Sequence, residues 1–140
     1  GGFAGEARIR DFVINMDEPE DLGGTNKAPN MVEMVLGAYG CCLTVGYALN
    51  AAVMGIELQK IDIELEGDIN ILGFIGLEDP EKVPPAFSKI IAKVYLKASP
   101  GVTEEQLKKL HEQVVKTSPV GNILKRPIDV ETNLQLKRIV

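Results

Sequence analysis

The chain carries few residues that do chemistry. It has one histidine, His111, and two cysteines, and the cysteines are adjacent at positions 41 and 42. A zinc site needs several His or Cys ligands at set spacing, so no metal centre is expected. Two neighbouring cysteines do not form a disulfide framework. Side chains at i and i+1 of a helix point about 100° apart, and bridge geometry is too demanding to join them. No Gly-rich phosphate loop joins a strand to a helix, the Gly23-Gly24 pair being too short, and no GxSxG elbow occurs. No cofactor is expected. Basic clusters are also absent and the formal net charge is -5, which argues against a nucleic-acid or anionic-membrane surface.

Charge is missing in one further place. The run from Met34 to Ile56 contains no charged residue and is long enough to span a bilayer. It is nonetheless rich in Gly and Ala, it holds Thr44 and Asn50, and no Lys or Arg closely brackets both ends. A helix apolar on every side also suits the buried centre of a soluble fold. We therefore read no membrane segment, and expect a cytoplasmic protein with reduced thiols.

What is present reads as one domain over residues 1–140, with 45% apolar and 25% charged residues. A start at Gly-Gly without Met reads as a trimmed N-terminus. Residues 3–16 read as strand, and residues 17–30, with Pro19, Gly23, Gly24, Pro29 and four acids, as a solvated loop. Asn30 with Glu33 three positions on forms a capping-box pattern, opening a helix to about Met54 that Gly55 stops. Gly37 and Gly40 either allow a close backbone approach or break that helix.

Residues 58–66 and 88–98 alternate as strands, with acids on the outer face of the first and Lys89, Lys93 and Lys97 on that of the second. Those faces suit neighbours in a sheet. Between them lies a long Gly- and Pro-rich connection with a short strand expected near Ile69–Phe74. Thr103 and Gln106 cap a helix from Glu104 to about Thr117, with Leu107, Leu110 and Val114 as its buried stripe. A last strand is expected over 127–137, with Ile128, Val130, Thr132, Leu134 and Leu136 on one face. The class is α+β.

A helix apolar all round, ~35 Å long at 1.5 Å per residue, needs more cover than one small domain supplies. Two copies packed helix on helix would supply it, so a homodimer is expected.

The remaining chemistry is that of the thiols. A reactive Cys needs a nearby cation or donors and partial access, and neither Cys41 nor Cys42 has such a neighbour in sequence. On the residues alone, both read as small apolar side chains in a buried helix. His111 falls beside the apolar stripe and reads as a boundary histidine. Tyr39 and Tyr47 flank the cysteines, either as core or as pocket walls near a thiol.

Five ordered segments carry a resemblance: "GGF" at the start, "DEPEDLGGTNKAPN" at 17–30, "VEMVLGAYGCC" at 32–42, "GIELQKIDIELEGD" at 55–68 and "TSPVGNIL" at 117–124. Together they resemble the OsmC/Ohr family of osmotically inducible and organic-hydroperoxide-resistance proteins across nearly the whole chain. The resemblance implies an α+β fold in which two subunits intertwine around paired central helices wrapped by antiparallel sheets, with active sites at the dimer interface. It also implies a thiol that attacks the peroxide O–O bond, a second Cys that closes a disulfide, and an Arg and a Glu that activate the thiol. An external dithiol then resets the enzyme.

The resemblance places the reactive thiol at Cys42, with Cys41, Tyr39 and Glu33 as pocket candidates. It places the second Cys at a position held here by Ser118, which cannot resolve a sulfenic acid. Ser118 followed by Pro119 reads instead as a helix N-cap. The activating Glu falls on Val32, and Glu33 reads as a cap. The loop over 15–27, where the Arg should lie, offers only Lys27; Arg8 and Arg10 read as sheet-face charges. Three expectations stand together. The first is a degenerate one-thiol peroxidase using an external thiol reductant. The second is a non-catalytic dimer that keeps the interface pocket to bind a small apolar or thiol-reactive ligand, the candidate partners being an organic hydroperoxide or a small apolar molecule. The third is a structural dimer.

Overall fold

The computed structural model describes residues 2–137. The expected strand over 3–16 is a hairpin of β1 (Gly5–Ile9) and β2 (Phe12–Met16), with Ala7 opposite Ile14 and Ile9 opposite Phe12. Arg10 turns the chain with φ of 54°, in the left-handed region that residues other than Gly and Asn enter at a cost. The turn was hidden because no Gly or Asn marks it.

The loop after β2 is not simply solvated. Asp17 is only 1% exposed. Its carboxylate accepts from the backbone N–H groups of Glu18 (2.8 Å), Thr25 (3.2 Å) and Lys27 (3.3 Å), and from the Thr25 hydroxyl. The Thr25 hydroxyl first, and then the Glu18 N–H, hold this carboxyl below its ordinary range against the opposing effect of burial. Gly24 lets the loop close: a Cβ there would stand 1.9 Å from the Glu18 carbonyl oxygen.

The central helix α1 (Met31–Met54) is continuous. Its capping box is complete: Asn30 Oδ1 accepts from the Glu33 N–H at 2.9 Å and Glu33 Oε1 accepts from the Asn30 N–H at 3.0 Å. Gly55, at φ of 70°, ends it. Gly40 does allow a close approach, since a Cβ there would meet Leu65 Cδ1 at 2.8 Å. Gly37 has open space beside it in this chain.

Strands β3 (Leu58–Ile69) and β4 (Phe87–Ala98) form an antiparallel pair, with Glu64 opposite Lys93 and Asp68 opposite Lys89. The short strand expected near 69–74 is absent; β3 stops at Ile69, and Phe74 and Ile75 N–H groups turn back onto the Ile71 carbonyl. Helix α2 (Glu104–Thr117) starts at the Thr103–Gln106 capping box, and α3 (Pro119–Lys125) starts at Ser118.

The sheet's inner face carries Ile61, Ile63, Val94 and Leu96, and these pack on a core of Leu43, Tyr47, Ala51, Ile56, Leu110 and Val114 from α1, α2 and the turn after α1. The result is two layers, helices on one face of an antiparallel sheet, as expected for α+β. Residues 127–137 form no strand. Their alternating apolar side chains are exposed, from Ile128 at 61% to Leu136 at 82%, because no described strand pairs with them.

Candidate functional site

The packing of α1 against the α2–α3 junction brings Cys42 and Ser118 together. Cys42 Sγ lies 3.1 Å from Ser118 Oγ, although 76 positions separate them. Ser118 is 4% exposed and Cys42 is half-buried. Ser118 also does the local work expected of it. Its Oγ accepts from the Gly121 N–H at 3.0 Å, capping α3, with Pro119 at the first helical position. Gly121 keeps this corner tight: a Cβ there would meet Ser118 Oγ and Tyr39 Cε1, each at 3.1 Å.

Tyr39 lies just under one turn before Cys42, on the same side of α1. Burial, and secondarily the charge that Cys42 can carry, holds the Tyr39 phenol above its ordinary range. Tyr39 also forms part of the wall of a groove of about 550 Å³. Val32 lines that groove from α1, Phe87 and Ile90 from β4, and Ile123 and Leu124 from α3. Lys89 and Lys125 are its cationic members. The groove is thus largely apolar, and it adjoins the Cys42–Ser118 contact through Tyr39 and Gly121.

The other site residues read from the sequence fall elsewhere. Glu33 holds its carboxylate on the α1 cap. Cys41 is exposed on α1. Lys27 serves the Asp17 loop through its backbone N–H. Arg8 pairs with Glu6 at 3.1 Å and Arg10 lies over the Phe12 ring at 5.0 Å, both on the β1–β2 hairpin. Among the described residues, no group of three or more His, Cys, Asp or Glu could hold a metal ion.

His111 stands at the core boundary, as its place beside the apolar stripe implies, but its partner is a residue that no local pattern marks. Tyr47 is fully buried, and its hydroxyl lies 2.5 Å from His111 Nδ1. Burial, with a smaller contribution from Tyr39, pushes the Tyr47 phenol up to about 12. The groove walls from β4 and α3 were missed too, since no local pattern marks them.

A family model described as OsmC-like protein matches residues 24–133. An OsmC-like protein from Mycoplasma pneumoniae superposes with a TM-score of 0.72 at 18% identity, over 87% of this chain and 79% of the other. An organic hydroperoxide resistance protein from Elizabethkingia anophelis superposes with a TM-score of 0.57 at 19% identity, over 81% and 74%. One from Legionella pneumophila gives 0.56 at 17% identity, over 89% of both chains. No curated protein sequence matches at a significant level.

Proposed function

The chain belongs to the OsmC-like protein family, and from that premise we propose that it is a homodimer that reduces organic hydroperoxides with one thiol, Cys42. The observation that carries this reading is the half-buried Cys42 Sγ, in contact with Ser118 Oγ and next to an apolar groove. Structural neighbours described as organic hydroperoxide resistance proteins support it.

In the proposed cycle the Cys42 thiolate attacks the distal peroxide oxygen. The O–O bond breaks, the alkoxide takes a proton and leaves as an alcohol, and sulfur is oxidised to the sulfenic acid. No second cysteine stands at Ser118, so an external thiol attacks the sulfenic acid, releasing water and forming a mixed disulfide. A second external thiol displaces it and restores Cys42. The groove holds the apolar part of the substrate.

The dimer is supported by the uncovered face of α1, where Val45 is 65%, Leu49 62% and Val53 79% exposed. An apolar stripe of that kind belongs against another surface. The helix is also long and apolar enough to cross a membrane, but it is the element on which β3, α2 and α3 pack. Free thiols suit a reducing compartment, and we place the protein in the cytoplasm.

A second reading, ligand binding without turnover, is favoured by Val32, an apolar side chain where the family resemblance calls for a carboxylate. The deciding experiment follows loss of cumene hydroperoxide in the presence of dihydrolipoamide or dithiothreitol. Loss that requires Cys42, and disappears in Cys42→Ser, supports peroxidase action. Binding of the hydroperoxide without Cys42-dependent loss leaves the second reading.

A further inference from the structure

We propose that Ser118 is the activating hydrogen-bond donor to the Cys42 thiolate, so that the residue standing where a resolving thiol would be prepares the attack. This rests on the reading of Cys42 as the reactive sulfur. Ser118 has one hydroxyl proton, and its oxygen already accepts from the Gly121 N–H at 3.0 Å. The other partner of that hydroxyl is Cys42 Sγ at 3.1 Å. While Cys42 is a neutral thiol, either atom can donate across this contact. Once Cys42 has lost its proton, only the serine can. The contact is thus worth more to the charged form, since hydrogen bonds to ionised groups are about twice as strong as neutral ones. Ser118 is 4% exposed, so little water competes for the hydroxyl.

The charged and titratable groups of the surrounding elements do not replace this donor. On α1, Tyr39 lies beside the thiol, but among the described residues the side-chain partner of Cys42 Sγ is Ser118 and not the Tyr39 hydroxyl. The one charged residue of α3 is Lys125, which lines the groove. At the end of α2, Lys116 is exposed. On β3, Asp62, Glu64, Glu66 and Asp68 alternate with Ile61, Ile63 and Leu65 and are exposed on the face away from α1. The same donor continues to serve after oxidation, because the sulfenate oxygen on Cys42 is an acceptor and a serine cannot condense with it.

The test is the pH profile of Cys42 alkylation by iodoacetamide, resolved from Cys41 by peptide mass spectrometry on the full chain. Two variants separate the hydroxyl from the helix cap. Ser118→Gly removes the hydroxyl but costs an N-cap only a few tenths of a kcal/mol, whereas Ser118→Ala removes both. We expect both to slow Cys42 alkylation near neutral pH roughly tenfold. A profile unchanged in Ser118→Gly overturns the proposal, including the case in which only Ser118→Ala shifts, since that would be the cap. The assay uses no peroxide. A shifted profile without peroxide turnover would therefore refute the proposed function and leave this inference standing.

Discussion

The Tyr47 hydroxyl meets Nδ1 of His111 across the α1–α2 contact, 2.5 Å away. The phenol is pushed up to about 12, so it stays protonated, and the tautomer of His111 sets which of the two atoms donates. The two ring planes are 13° apart. A fully buried tyrosine on the central helix is thereby given a partner at the edge of the fold.

This pair predicts an alkaline loss of stability. The unfolded Tyr47 ionises near its ordinary value of 10.0 and the folded one near 12. The folded pKa is the higher, so the contribution is intact below pH ~10. As pH rises from there towards ~12, unfolding releases a proton and stability falls. Tyr47→Phe should flatten that part of the curve and cost about 1 kcal/mol at neutral pH through the lost hydrogen bond. Denaturant unfolding at several pH values checks both; equal alkaline slopes in the two proteins would sink the assignment.

A second prediction concerns the opposite side of α1. Leu49 is 62% exposed beside Val45 and Val53. Leu49→Lys puts a charge on the face proposed to meet a second copy, where desolvating it would be costly. Light scattering should give twice the chain's 15.2 kDa for the wild type and a smaller mass for the variant. A wild-type chain that is folded and monomeric would refute the proposed dimer.

A third prediction concerns Asp17. Its folded pKa lies below the ordinary 3.8, so it contributes stability above that pH and loses it as pH falls through the folded value. Asp17→Asn keeps the shape but replaces an acceptor-only group with one whose amide faces N–H donors. The variant should be less stable at pH 7 and nearly equal to the wild type in strong acid. Thermal melts at pH 7 and pH 2 test this, and an unchanged midpoint at pH 7 would show the clamp to be idle.

How much of this was legible follows from how local each cause is. The α1 cap at Asn30 and Glu33, its stop at Gly55, and the Ser118 cap are set by side chains within a few residues of the backbone groups they satisfy. All three are readable from sequence. The hairpin turn at Arg10 lacks the Gly or Asn that such a backbone favours, so β1 and β2 read as one strand. Asp17 looked like one acid among four, because its burial depends on donors 8 and 10 residues away. The alternation over 127–137 is a true strand pattern, but pairing is a property of the surroundings, and the described residues provide no neighbouring strand. The Cys42–Ser118 contact came from no local pattern. It followed only from family resemblance, while the groove beside it depends on how β4 and α3 meet α1.

The distance between Cys42 and Ser118 makes a last prediction, that Ser118→Cys restores a two-thiol cycle. The hydroxyl oxygen already lies 3.1 Å from Cys42 Sγ, so a sulfur on the same Cβ needs little movement to reach bonding distance. After one equivalent of cumene hydroperoxide, the Cys42 sulfenic acid should condense with the introduced thiol, releasing water and forming an intramolecular disulfide. The product should lose two hydrogens in mass and both alkylatable thiols at these positions, leaving Cys41 reactive. The same substitution removes the proposed hydroxyl donor, so the first oxidation should be slower than in the wild type while resolution becomes independent of added thiol. Stopped-flow measurement of the two phases separates these effects. A variant that still forms only mixed disulfides with the external thiol would show that the two side chains do not keep this contact in solution.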